Sequence, residues 1–224
     1  MSYSRIRPVF FLLPAMALVG ALVALAQDEP QAYPKPSPIP VSWELKFTHS
    51  DPKRIVVNIP GDPVPHAFWY ISYSVVNEGQ TGGEAATERV FYPVFVMRTH
   101  DGKLVNGNDG VHPSVFAAIK AEVNNPFLEE PTLFGGRILL GEDQRRDSIA
   151  VWPETLPRMG SFTIFASGMW GETAVARDSL GNPLKDDKGQ DALLHKTLMM
   201  SYHVDGDDTH FDRVRKVTEE FIMR

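Results

Sequence analysis

From residue 42 onward, apolar and polar side chains alternate in short runs, and the alternation predicts strands. Trp43, Leu45 and Phe47 alternate with Glu44, Lys46 and Thr48, the period-two pattern of a strand with one buried face. Residues 54–59 form a second short run, closed by Pro60-Gly61-Asp62-Pro63. Residues 68–76 form a third. Trp69, Ile71, Tyr73 and Val75 occupy one face, while Phe68 and Tyr70 share the other with Ser72 and Ser74. That pattern predicts a central strand, buried on one side and partly covered on the other. After a polar loop over 77–88, residues 90–99 are apolar on both faces. Pro93 in their middle cannot donate to a ladder, which predicts an edge position or a bulge. Asp101-Gly102 then turns the chain into residues 103–105.

One helix interrupts the strands. Pro113 starts it, Val115, Ile119 and Val123 recur four apart, and Asn125-Pro126 stops it, giving a helix over 113–124. Residues 137–140, 148–152, 161–167 and 196–204 return to strand patterns, the last with the stripe Leu198, Met200, Tyr202, Val204. Residues 178–191 read as exposed turns, carrying Leu180-Gly181-Asn182-Pro183 and Asp186-Asp187-Lys188-Gly189. Seven or more short strands without βαβ alternation predict an all-β, antiparallel β-sandwich with one short inserted helix, spanning 42–204. Residues 205–224 form an acidic turn and C-terminal tail, in which 214–224 fit either a helix or an added strand.

Two segments precede this domain. Arg5 and Arg7 are followed by an uncharged apolar stretch over 9–26 that closes on Ala24-Leu25-Ala26, the order of a secretory signal peptide. The competing reading is an uncleaved anchor, since an apolar run of roughly 18 residues begins to read as a membrane helix. Pro14 and Gly20 weaken such a helix, and cleavage after Ala26 is the expectation. In 27–41, Pro30, Pro34, Pro36, Pro38 and Pro40 alternate with other residues, which predicts an extended, semi-rigid linker. The expected location is therefore the periplasm or the cell exterior.

Composition narrows the partners. The chain has no cysteine, so an exported domain must draw its stability from a packed core rather than from disulfides. Removing Arg5 and Arg7 takes the formal charge from -6 to -8. An acidic, unpatterned balance argues against nucleic acid and against anionic membrane surfaces.

The succession Gly141-Glu142, Ile149 and Val151, then residues 159–165 and Gly168-Met169, resembles the last strands of immunoglobulin-like sandwich domains. With Trp69 to Asn77 as an aromatic central strand and Asn-initiated loop, it is similar to uncharacterised exported bacterial proteins of that class. The resemblance implies a fold and carries no catalytic residue across. There is no cysteine pair around the central tryptophan, and Phe162 stands where a corner tyrosine often appears.

Several clusters carry side chains capable of chemistry. Asp205, Asp207, Asp208, His210 and Asp212 could hold calcium, or zinc if the histidine joins. Counted from Asp205, however, the sixth and twelfth positions are His210 and Lys216, not the Gly and Glu of a helix-loop-helix calcium loop. An acidic turn after the last strand, with Thr209 or Asp208 capping a short amphipathic segment on Val214, Val217 and Phe221, explains the same residues. His100 and His112 flank Asp101 and Asp109 in a glycine-bearing loop, and His195 and His203 end the last strand stripe as exposed residues. No serine occupies a Gly-x-Ser-x-Gly elbow, and Gly82-Gly83 and Gly135-Gly136 lack the lysine of a phosphate loop. Trp170, between Met169 and Gly171, is either an exposed contact or a cap that folds back on the sandwich.

No catalytic, cofactor-binding or metal residue is assigned, and no cofactor is expected. These observations lead to a non-enzymatic structural or protein-interaction module of the bacterial envelope with a protein partner. The alternatives are a carbohydrate- or metal-binding module and a hydrolase with a spatially assembled site.

Overall fold

A computed structural model of the chain describes residues 34–79, 87–109, 111–155, 159–205 and 213–224. In chain order, β1 (Lys46–His49), β2 (Lys53–Val57), β3 (His66–Val76), β4 (Glu88–Phe91), β5 (Val94–Thr99) and β6 (Leu104–Asn106) precede helix α1 (Pro113–Val123). They are followed by β7 (Gly136–Leu139), β8 (Arg146–Pro153), β9 (Ser161–Ser167), β10 (Thr173–Val175), β11 (Leu193–Asp205) and β12 (Arg213–Met223). The fold is all-β, with antiparallel pairing between these strands and one α-helix among the described residues.

The first sheet is built on β3. Its one edge pairs with β8, from Phe68 opposite Pro153 to Val75 opposite Arg146. Its other edge is shared, β1 taking residues 73–76 and β2 residues 66–70. The second sheet runs β12, β11, β9, β5, β6, with β10 on the same side of β11 as β9. β4 and β7 form a separate two-stranded ribbon.

Period-two alternation puts one set of side chains from each sheet into a common core. Trp69, Ile71, Tyr73 and Val75 of β3 and Trp152 of β8 meet Phe95 and Met97 of β5, Phe162 and Ile164 of β9, and Met200 and Tyr202 of β11. Phe162 lies between Trp69 and Tyr202, with ring centroids 5.5 and 5.6 Å away. The other face of β3 is also covered, but only in part. Phe68 and Tyr70 join Ile149, Val151 and Val57 beneath Val115 and Ile119 of α1. The helix begins where His112 accepts a bond from the Ser114 amide, at 3.2 Å, with Pro113 in its first turn, and ends at Asn124 in the left-handed conformation. Its one-sided apolar spacing buries Val115 and Ile119 against the sheet, and the Tyr70 hydroxyl donates to Glu122 at 2.7 Å.

The structure departs from the sequence expectations in three places. Residues 90–99 are two strands in different sheets: β4 stops at Phe91, β5 starts at Val94, and the break contains Pro93, which has no amide hydrogen to continue a ladder. The run from residue 43 becomes regular strand only at Lys46, because Leu45 and Gly171 bond across to Met169 and Trp43 instead, at 2.9 and 2.8 Å. β10 lies within what reads as irregular chain. The tail adopts the strand alternative, β12 pairing along β11 from Lys196 opposite Met223 to Asp205 opposite Arg213. The turns over 178–191 form as expected, Asp178 and Asp186 each accepting two backbone amides.

Candidate functional site

The helix covers the Phe68 and Tyr70 half of the outer face of β3 and stops short of Ser72 and Ser74. A cleft of about 310 Å³ opens there. Thr48, His49 and Ser50 line one side, Val123 and Asn125 the helix end, and Arg145 and Asp147 the start of β8. The short polar side chains on β3 leave room that the larger apolar ones fill farther along the strand.

Asp147 is the electrostatic centre of this cleft, only 7 % exposed. Arg145 grips it with Nε 2.9 Å from Oδ1 and Nη2 3.1 Å from Oδ2, and Asn125 Nδ2 donates at 2.7 Å. Burial pushes its carboxyl upward, but the hydrogen bonds from Arg145, Ser74 and Asn125 outweigh it and hold the group below the usual carboxylate range. Across the cleft, the Ser72 amide donates to Ser50 Oγ at 3.0 Å, and the Ser50 amide returns a bond to the Ser72 carbonyl at 2.8 Å. His49 Nδ1 lies 2.9 Å from the Ser50 carbonyl, which only accepts, so that nitrogen carries the proton. Its Nε2 is 3.6 Å from Glu219 of β12.

This arrangement suits hydrogen bonding better than bond breaking. Hydroxyls, a guanidinium and an ionised carboxylate surround a small polar space. Ser74 serves Asp147 and Ser50 serves the backbone, so neither is poised on an imidazole. A serine-imidazole contact does occur elsewhere. Ser161 Oγ is 2.8 Å from His203 Nδ1, and His203 Nε2 is 3.4 Å from Asp205 Oδ1. The two strands place Ser161 and His203 directly opposite each other on the outer face of the second sheet. There the His203 and Asp205 side chains are 41 % and 51 % exposed, without the dry, preorganised setting that stabilises developing charge.

Apart from the His203–Asp205 pair, the residues singled out by sequence do not gather into one site among the described residues. His100 Nδ1 is spent on the Met159 carbonyl at 3.0 Å, and His112 caps α1. Asp101 accepts from Thr99 and from the Lys103 amide within its own turn, and Asp109 and His195 are exposed. Trp170 is 5 % exposed and packs edge-on against Phe221 and Phe47, at 4.9 and 5.8 Å, so it is the cap and not the sugar platform. Of the acidic cluster, Asp207, Asp208, His210 and Asp212 lie outside the described residues, and Asp205 faces His203 and, at 3.5 Å, Arg215. Among the described residues no three His, Asp or Glu side chains are arranged to hold a metal ion, and no helix is long and apolar enough to cross a membrane.

The cleft itself escaped the sequence reading. Its one local signal is the pair Ser72 and Ser74, which interrupts an otherwise apolar face of the central strand. No protein-family model, curated protein or solved structure matches the chain.

Proposed function

We propose that the chain is a non-enzymatic, exported immunoglobulin-like β-sandwich that serves as a structural or protein-interaction module of the bacterial envelope. The observation that carries this reading is the strand order. β1, β3 and β8 pair as strands A, B and E pair in an immunoglobulin domain, and facing them β11, β9, β5 and β6 follow the order G, F, C, C′. Folds of that order host many functions, so the placement of the reactive side chains bears on the reading as well. Among the described residues, His100 meets a backbone carbonyl, His112 caps a helix, Asp101 closes a turn, and His203 and Asp205 form an open pair along β11. Arg5, Arg7 and the apolar stretch closing on Ala24-Leu25-Ala26 support export, and a cysteine-free core of this size needs no disulfide.

The test combines fractionation with cross-linking in cells. A product beginning at Gln27, found in the envelope fraction and cross-linked to a defined protein partner, is the expected result. A chain that keeps Met1 and stays in the cytoplasm overturns the reading.

The cleft around Asp147 favours a second reading, a binding site for a small polyhydroxylated ligand. A ligand held at about a hundred times its dissociation constant adds roughly 2.7 kcal/mol to stability, a shift of several degrees on heating. Glycans that raise the melting temperature of the intact protein but not of its Ser74→Val variant support that reading, and no shift across the panel removes it.

A further inference from the structure

β12 is an edge strand eleven residues long, and among the described residues its side away from β11 has no strand partner. Residues 215–220 are all exposed. Such an edge is a row of unpaired backbone donors and acceptors, ready to take another strand. Its sequence is polarised: Arg215 and Lys216 stand in the first half, Glu219 and Glu220 in the second. An antiparallel copy of the same strand would therefore set basic residues against acidic ones.

The bulge in β12 decides the register. Ser201 pairs with Thr218 and Tyr202 with Lys216, which leaves Val217 as the extra residue. In a regular strand Lys216 and Glu219 would point to opposite faces. With the extra residue between them, both share the face of Met200 and Tyr202, as do Val214 and Phe221, while Arg215 and Glu220 share the other face. A two-fold axis placed between Val217 and Thr218 then sets Lys216 against Glu219, Arg215 against Glu220 and Val214 against Phe221, every pair on one face. Sliding by one residue puts Lys216 against Thr218 or Glu220, on the wrong face, so a single register satisfies both charge and face.

We propose that two copies of the chain associate through antiparallel pairing of β12 about this axis, joining their second sheets edge to edge. The inference rests on the interaction-module reading and names one partner, a second copy. A closed two-fold contact of this kind also protects an edge that would otherwise template open-ended pairing.

The test is sedimentation equilibrium of the intact protein up to about 100 µM, a range that covers weak specific dimers. The wild type is expected to dimerise. Arg215→Glu and Glu220→Arg each place like charges opposite each other twice per dimer, and each is expected to weaken association about tenfold or more. Mixing the two variants restores complementarity and is expected to restore dimers, as is the double exchange R215E/E220R in one chain. Restoration by mixing cannot come from misfolding. Because the chain has no cysteine, Thr218→Cys supplies one thiol beside the axis and is expected to cross-link on mild oxidation, whereas Leu104→Cys on β6 is not. A monomer throughout this range, or a dimer indifferent to both single variants, overturns the inference. Either outcome leaves the capture of a different envelope partner as a separate test of the broader reading.

Discussion

Lys196 Nζ lies 2.5 Å from Glu44 Oε1, joining the second sheet to the segment that leads into the first. The lysine side chain is 6 % exposed, stands 3.6 Å from Glu172 and lies over the Phe221 ring. Glu172 in turn accepts the Ser37 amide at 2.7 Å, so the cluster also fastens the end of the proline-rich segment. Removing one member of a buried ionic group strands the others without compensation, at about 3–5 kcal/mol. Lys196→Met is expected to lower unfolding stability by that order. A denaturant midpoint equal to wild type would remove the cluster from the account of stability.

Gly168 has φ +81°, and a Cβ built there would overlap the Tyr92 carbonyl oxygen, where the chain passes the Pro93 break. Backbone cannot yield as a flexible side chain can. Gly168→Ala is expected to cost more than about 3 kcal/mol, or to prevent folding, since a steric clash adds to the left-handed penalty. Gly181 has nearly the same φ, +85°, with open space around it, and its alanine variant should lose only about 1–2 kcal/mol. Similar losses in chemical denaturation would refute the close approach at Gly168.

Because the Asp147 carboxyl is held below its ordinary value in the folded state, it binds its proton later than in the unfolded chain as pH falls. Its contribution to stability is complete above the unfolded carboxylate value of about 3.9 and is lost as pH falls through the folded value. Asp147→Asn should therefore be less stable than wild type near neutrality, with the difference shrinking in acid. Unfolding midpoints measured from neutrality down to about pH 2 test this, and a constant or growing gap contradicts it.

Ile119 anchors α1 on the first sheet, fully buried beside Tyr70 and Ile149. Ile119→Ala is expected to cost about 2–5 kcal/mol. Tyr70→Phe keeps the ring and removes the bond to Glu122, and should cost about 1 kcal/mol. Equal losses for the two variants would mean that the helix is held by its polar contact rather than by its apolar face.

What could be read from the sequence follows from how locally each feature is encoded. β3 was legible because its two faces differ in composition along residues 68–76, and α1 because its start, spacing and stop all lie within residues 113–126. β12 was not, since the extra residue at Val217 shifts its alternation midway and the strand then imitates neither period. The break at Pro93 was hidden by apolar neighbours on both sides, which serve two different packing environments. The cleft draws on β1, β3, the end of α1 and the start of β8, segments whose adjacency arises only from strand pairing.

The pairing of β3 with β8 also constrains the order in which the chain can acquire structure. Phe68 meets Pro153 and Val75 meets Arg146, so one edge of the central strand waits for residues made far later, whereas β2 and β12 find their partners nearby in the chain. Closing so long a loop is slow relative to forming hairpins. A nascent chain shorter than Pro153 holds β3 with its aromatic faces and one edge unpaired. The interval before β8 emerges is therefore when this protein is most open to a chaperone or to mispairing.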